Sequence, residues 1–184
     1  MSTIPLYDAT IGTCTKALTA LLAILRAAQK HPDAASFPSA SLYEDMKDFS
    51  FQVQTVSNFS KKLVERLAIR PADQPAIESW PDEEKTMEEL IGRVERTLAL
   101  LATVKPEHLE GAANKNVTLA FGPTIRGETS GLNYVVDYML PNMYFHLTTA
   151  YAILRMKGVP LGKADYLTPF VEQYFPREEA LATR

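Results

Sequence analysis

The chain has 184 residues, 46% of them hydrophobic, and its 22 acidic and 19 basic side chains leave a formal charge of −3. That length and apolar content fill one good core but would leave two marginal ones, so one domain is expected. Charges of both signs are interspersed, with no basic face for phosphates and no polybasic segment for anionic lipid, which excludes nucleic acid and membrane as partners. Cys14 is the only cysteine, which rules out an internal disulfide and any multi-cysteine metal site. The N-terminus lacks the pattern of a signal peptide, and no apolar stretch reaches the roughly 20 residues of a membrane span, so a cytoplasmic protein is expected.

From Leu6 to about Gln29, apolar residues Ile11, Cys14, Leu18, Leu21, Leu22 and Leu25 recur at threes and fours among helix-favouring alanines, which predicts a first helix ended by His31-Pro32. His31 reads as a solvated helix-end residue. A second helix is predicted from near Leu42 to about Ile69, its core stripe running from Met46 and Phe49 through Val53, Val56 and Phe59 to Leu67. Asp45 and Gln52 lie on or beside that stripe. Asp45 has two readings, a boundary carboxylate near a helix start or a functional acid. Pro71, Pro75 and Pro81 make 70–84 an extended linker, with Trp80 plugging an edge of the core. Thr86 and Glu89 have capping-box spacing ahead of a third helix to about Val104, whose face with Glu88, Arg93, Glu95 and Arg96 reads as solvated.

After Lys105-Pro106 the period shortens to two at Val117, Leu119 and Phe121, and Gly122-Pro123 turns the chain, which predicts a short β-hairpin. His108 sits in a polar loop without the company of a metal ligand. Ser130 can cap a fourth helix that Gly158 and Pro160 end. Its residues Val135, Tyr138, Met139, Met143, Leu147, Ala150, Tyr151 and Leu154 form an apolar surface wide enough for a largely buried helix, and Pro141 should kink it. Within it Asn142, His146 and Thr149 share one side, a polar stripe in an apolar element.

The run Phe145-His146-x-x-Thr149-Ala150-Tyr151-x-x-Leu154-Arg155, then Gly158-Val159-Pro160-Leu161-Gly162-Lys163-x-Asp165-Tyr166, resembles the C-terminal signature of a DinB-like branch catalogued as a domain of unknown function. Leu6-Tyr7-Asp8, Leu42-x-x-Asp45-Met46 and Gln52-x-Gln54 resemble its upstream parts, so the likeness covers about 6–167, and 168–184 is a C-terminal extension able to dock on the bundle or on a second subunit. The resemblance implies an all-α, DinB-like four-helix bundle with a long crossover that contains the hairpin, between helices three and four. It also implies a divalent metal held by three histidines, two of them in a His-x-x-x-His pair on the last helix, in relatives that transfer small thiols or act on small molecules and are often dimers. Here Ala150 stands where the partner of His146 would be. The family's common acid is Asn58, and its His-Asn-Gly is Met156-Lys157-Gly158. Lys163 and Asp165 read as an internal ion pair in a loop that folds back.

The stripe points to an enzyme that acts on a small organic molecule without metal or cofactor. His146 would move a proton near pH 7, and Asp45 would orient it or serve as a second acid or base. Gln52, Asn142 and Thr149 would hold substrate oxygens, with Tyr138 and Tyr43 adding hydroxyls or flat walls. Isomerisation, dehydration, retro-aldol cleavage and ring closure are the reactions that fit. One alternative is a non-catalytic small-molecule-binding or dimerisation module, since apolar stripes at helical spacing also make interfaces, and a homodimer is expected. Another is a metal-dependent thiol transferase of the wider superfamily, for which the histidines are missing. A cavity lined by His146 and Asp45 would separate the enzyme from the module.

Overall fold

A computed structural model describes residues 4–69, 76–122 and 124–175 of the chain. Pro71, Pro75, Pro123 and the last nine residues of the C-terminal extension lie outside the described residues. Five helices carry the fold: α1 (Thr13–Gln29), α2 (Phe49–Leu67), α3 (Met87–Ala102), α4 (Leu140–Met156) and α5 (Lys163–Val171). The first four form the bundle, with α1 against α3, α3 against α2, and α2 against α4, while α4 closes more lightly onto α1 and α5 covers α1. Consecutive helices α1 and α2, like α3 and α4, therefore lie across the bundle rather than side by side. Two long crossovers follow from that order, one between Gln29 and Phe49 and one after Ala102 that contains the hairpin.

The core is the set of stripes the periodicity marks. Leu18, Leu21 and Leu25 of α1, Val53, Val56 and Leu63 of α2, Leu90 and Val94 of α3, and Met143, Leu147 and Leu154 of α4 are all fully buried. With the five-residue π-helical turn Asp8–Gly12, the first helix runs from Asp8 to Gln29, long and apolar enough to cross a membrane by length and composition, against the expectation that no stretch is. Half of its residues are buried inside the bundle instead, as suits a core helix.

The second helix starts later than expected. Asp48 is its N-cap and accepts from the amide of Phe51 at 2.9 Å, while the amides of Phe49 and Ser50 go back to the carbonyls of Ala40 and Pro38. Those bonds fix the helix start and leave Leu42 to Lys47 as a turn outside it. The third helix carries its capping box, with Thr86 Oγ1 accepting from the amide of Glu89 and Glu89 Oε2 accepting from the amide of Thr86. The strands β1 (Asn116–Phe121) and β2 (Ile125–Ser130) pair antiparallel from Asn116 opposite Ser130 to Phe121 opposite Ile125. Val117 is buried and Leu119 half-buried. Ser130 caps the helical turn that follows, where Gly131 passes so close to the Ala112 carbonyl that a Cβ would land on its oxygen.

The approach to α4 is a π-helical run, Tyr134–Met139, and Pro141 falls in the first turn of α4 rather than in the body of a regular helix. A proline has no N–H to give, and the preceding bonds widen to accommodate it. The helix also keeps an exposed face, on which Phe145 is 60% exposed. Left-handed Gly158 (φ 87°) ends it. No ion pair joins Lys163 to Asp165 among the described residues; Asp165 Oδ2 accepts from the amide of Gly162 at 2.7 Å and caps α5. That helix runs through residue 167, and its Phe170 lies 6.1 Å from Tyr144 of α4 and 5.8 Å from Tyr166, ring centre to ring centre. The described part of the extension thus begins inside a helix docked on the bundle, beyond which Tyr174 and Phe175 are exposed.

Candidate functional site

Where α2 packs on α4, Gln52 and His146 meet. Gln52 is buried, and its Nε2 donates to the carbonyl of Lys47 at 2.9 Å. That bond decides which way the amide points, so Oε1 is the atom 2.7 Å from Nδ1 of His146. An amide oxygen only accepts, hence Nδ1 carries the proton and Nε2 is the bare nitrogen of the neutral ring. Nε2 has no hydrogen-bond partner among the described residues. Three phenylalanine rings surround the imidazole: Phe145 at 5.2 Å and perpendicular, Phe51 at 5.8 Å edge-on, and Phe59 at 6.4 Å and nearly parallel. Burial lowers the His146 pKa below its ordinary value, so the neutral form is the one present at pH 7.

The rest of the expected stripe is turned inward on its own helix. Asn142 Nδ2 donates to the carbonyl of Tyr138 at 2.6 Å, and Thr149 Oγ1 to that of Phe145 at 2.8 Å, each one turn back. Tyr138 is half-buried, its ring 5.8 Å from Phe59 and 6.1 Å from Tyr134. Tyr43 and Asp45 are exposed in the turn ahead of α2, so neither faces the bundle interior with His146. The reason is the Asp48 cap, which starts the helix after both of them. Of the seven candidate residues, only Gln52 and His146 are brought into contact by a direct bond between their side chains. Two clefts, of about 700 and 420 Å3, open on the side of α2 and α3 that the linker ahead of α3 covers, and neither is lined by His146 or Asp45.

One group of functional-looking residues has no forerunner in the sequence reading. Arg93, on the face of α3 expected to be solvated, is 1% exposed. Its Nη1 donates to both oxygens of Glu84 (2.9 and 2.8 Å) and to the Pro81 carbonyl (3.0 Å), and its Nη2 donates to Asp82 Oδ1 (2.7 Å) and Asn58 Oδ1 (2.8 Å). Asn58 returns Nδ2 to both oxygens of Asp82 at 3.1 Å, which an acid at that position could not do. Trp80, half-buried, lies between Lys61 (5.5 Å) and Arg96 (4.5 Å), so it joins α2 to α3 through two cations rather than plugging the core. The signal for Arg93 was its spacing, three after Leu90 and four before Thr97, both buried on the same stripe.

The three-histidine metal set of the resemblance does not fit these residues. Ala150 takes one ligand position of α4, and Gln52 Oε1 is already engaged by His146. His31 Nδ1 accepts from the amide of Asp33 and His108 Nδ1 from that of Lys105, so both are used locally; His31 is half-buried against Phe37 rather than solvated. His146 Nε2 by itself falls short of the three protein ligands of a catalytic metal, and among the described residues no three His, Cys, Asp or Glu side chains come together to hold one.

The family described as "Domain of unknown function (DUF1993)" matches residues 6–167. The chain belongs to the DUF1993 family. A crystal structure of a DinB family member protein from Shewanella denitrificans is similar to it, with a TM-score of 0.76 and 31% sequence identity over 88% of this chain and 91% of that one. Among curated proteins none matches. The fold of this DUF1993 chain is DinB-like and, among the described residues, all-α apart from one hairpin.

Proposed function

We propose that this DUF1993 chain is a small-molecule enzyme in which His146 Nε2 acts as the base, without a metal at the Gln52–His146 pair. The observation that carries this reading is the Gln52 amide, locked by the Lys47 carbonyl so that it holds the Nδ1–H tautomer and leaves Nε2 bare. A base so fixed takes a proton from carbon beside a carbonyl, or from a β-hydroxyl when the adjoining carbon–carbon bond breaks, and returns it to another atom of the reacting molecule, while the charge on the ring is eased by the bond to Gln52 Oε1. The reactions that fit are isomerisation, dehydration, retro-aldol cleavage and ring closure. The phenylalanines around the ring favour a substrate with an apolar or flat part. Asp45 has no role in this scheme, and because neither cleft is lined by His146, the substrate would lie against the half-exposed face of the imidazole rather than in the enclosed cavity expected from the sequence. The test is His146→Gln, which keeps size and hydrogen bonding but not proton transfer. Across a panel of small carbonyl compounds, a substrate that the wild type turns over should lose about 10²–10⁴-fold in rate with a folded variant. Equal conversion by both proteins refutes the assignment.

A second reading, a homodimer through the same face, is favoured by one observation: Phe145 is 60% and Phe51 36% exposed beside His146. A second copy would cover both rings. Light scattering that finds a dimer in the wild type and a monomer in Phe145→Glu supports it, and a monomeric wild type excludes it.

A further inference from the structure

The larger cleft, about 700 Å3, is lined by Phe51 but by neither Gln52 nor His146, and lies between the turn ahead of α2 and the residues 82–85 ahead of α3. Its volume is in the range of ordinary small-molecule sites. Gln54, 5% exposed, forms part of its wall, and the Nε2 of Gln54 is committed to Glu84 Oε2 at 3.1 Å. Its Oε1 is thereby turned away from that carboxylate, meets no donor among the described residues, and is not sealed in the interior. Ser50, 8% exposed and in the same wall, has a hydroxyl without a partner among the described residues. Two nearly buried polar groups thus open into one cleft with hydrogen bonds unmade, which is costly unless water or a ligand makes them.

The charges narrow the ligand. The wall carries Asp48, Asp82, Glu83 and Glu84 against Lys47 and Lys85, and Arg93, which lines the other cleft, pairs with Asp82 and Glu84 from behind, so two carboxylates, Asp48 and Glu83, are left against the two lysines. A cleft so balanced suits neither an anion nor a polyamine. Asp82 and Glu84 already accept from Arg93, Asn58 and Gln54, whereas Glu83, Lys47 and Lys85 form no ion pair among the described residues. The unused capacity is therefore a set of acceptors, Gln54 Oε1, the Glu83 carboxylate and the second oxygen of Asp48, whose Oδ1 caps α2, and a set of donors, the two lysines with Ser50. Beside them the Phe51 ring, with Lys47 Nζ 5.7 Å from its centre, gives an apolar wall.

We propose that this cleft binds a small zwitterion of the α-amino-acid class, its ammonium on Gln54 Oε1 and Glu83, its carboxylate on Lys47, Lys85 and Ser50, and its side chain against Phe51. Neither member of the proton-transfer pair lines the site, which shares only Phe51 and Lys47 with the surroundings of that pair. The experiment is an amide NMR titration of the full chain with L-norvaline, and with butylamine and valerate, which keep one charged end each. Norvaline should saturate with shifts centred on Ser50, Phe51 and Gln54, and each single-ended probe should bind at least about tenfold more weakly. The exposed pair Lys47→Gln/Lys85→Gln, which spares the buried network, should weaken norvaline about tenfold or more, and His146→Gln should leave it unchanged. Absence of saturation with norvaline overturns the proposal, as do equal affinity for butylamine, shifts centred elsewhere, or indifference to the lysine substitutions.

Discussion

Replacing Arg93 by Met tests whether the buried guanidinium holds the linker ahead of α3 to the bundle. Met fills much of the apolar stem but leaves five hydrogen bonds unmade, to both oxygens of Glu84, to Asp82, to Asn58 and to the Pro81 carbonyl. Asp82 is half exposed and can return to water, so most of the cost falls on Glu84, whose side chain is only 13% exposed. Breaking a buried ion pair from one side costs about 3–5 kcal/mol. For a chain of this length, at about 2–4 °C per kcal/mol, the melting temperature should fall by about 6–20 °C. Urea unfolding followed by circular dichroism gives the same quantity as a lower midpoint at constant slope. Adding Glu84→Gln to Arg93→Met removes the stranded charge and should recover part of the loss, with a coupling of about 0.5–3 kcal/mol. A single variant within about 1 kcal/mol of wild type, or a double variant whose losses simply add, would refute the clamp.

His146 contributes a pH dependence of known sign. Its pKa is lowered on folding, so the unfolded chain binds more protons below the ordinary value of 6.5; stability is full above that pH and falls as pH drops toward the folded pKa. The difference between wild type and His146→Gln in urea midpoints from pH 8 to 5 should show that decline, and parallel curves would contradict it. Tyr134 is fully buried, its hydroxyl makes no hydrogen bond among the described residues and burial pushes its pKa up to about 12, so Tyr134→Phe should be neutral or stabilising within about 1 kcal/mol. A larger loss in the same assay would mean that the hydroxyl is bonded. Gly131→Ala drives a Cβ onto the Ala112 carbonyl and to 3.1 Å from Leu67 Cδ2 and should cost about 1–3 kcal/mol or more, with an unchanged melting point as the contrary result.

The parts of the fold that were legible are those whose cause is local. The α3 start follows from Thr86 and Glu89, the hairpin from a period of two, and the core from stripes at threes and fours. The start of α2 was not legible, because Leu42 to Lys47 is compatible with helix, and the bonds that end it come from Pro38 and Ala40, outside the pattern. Arg93 fails for a related reason. An arginine on a helix is read as solvated unless its counter-charges are known, and Asp82 and Glu84 lie in a linker whose path periodicity does not determine.

The site shows the same division within one short motif. Gln52 and Gln54 are two residues apart on α2 and so about 200° apart around it, which sends one toward α4 and the other toward the linker ahead of α3. Spacing alone gives that much. What each amide offers depends on where its nitrogen is spent: on the Lys47 carbonyl for Gln52, on the Glu84 carboxylate for Gln54. Both partners belong to segments flanking the helices, and both bonds leave an oxygen aimed outward from α2. In one case that oxygen fixes the tautomer of His146, and in the other it stands unpaired at the wall of a cleft. The residue types were visible from the start, but the directions of their dipoles, on which either chemistry depends, are set by loops that the helical period cannot see.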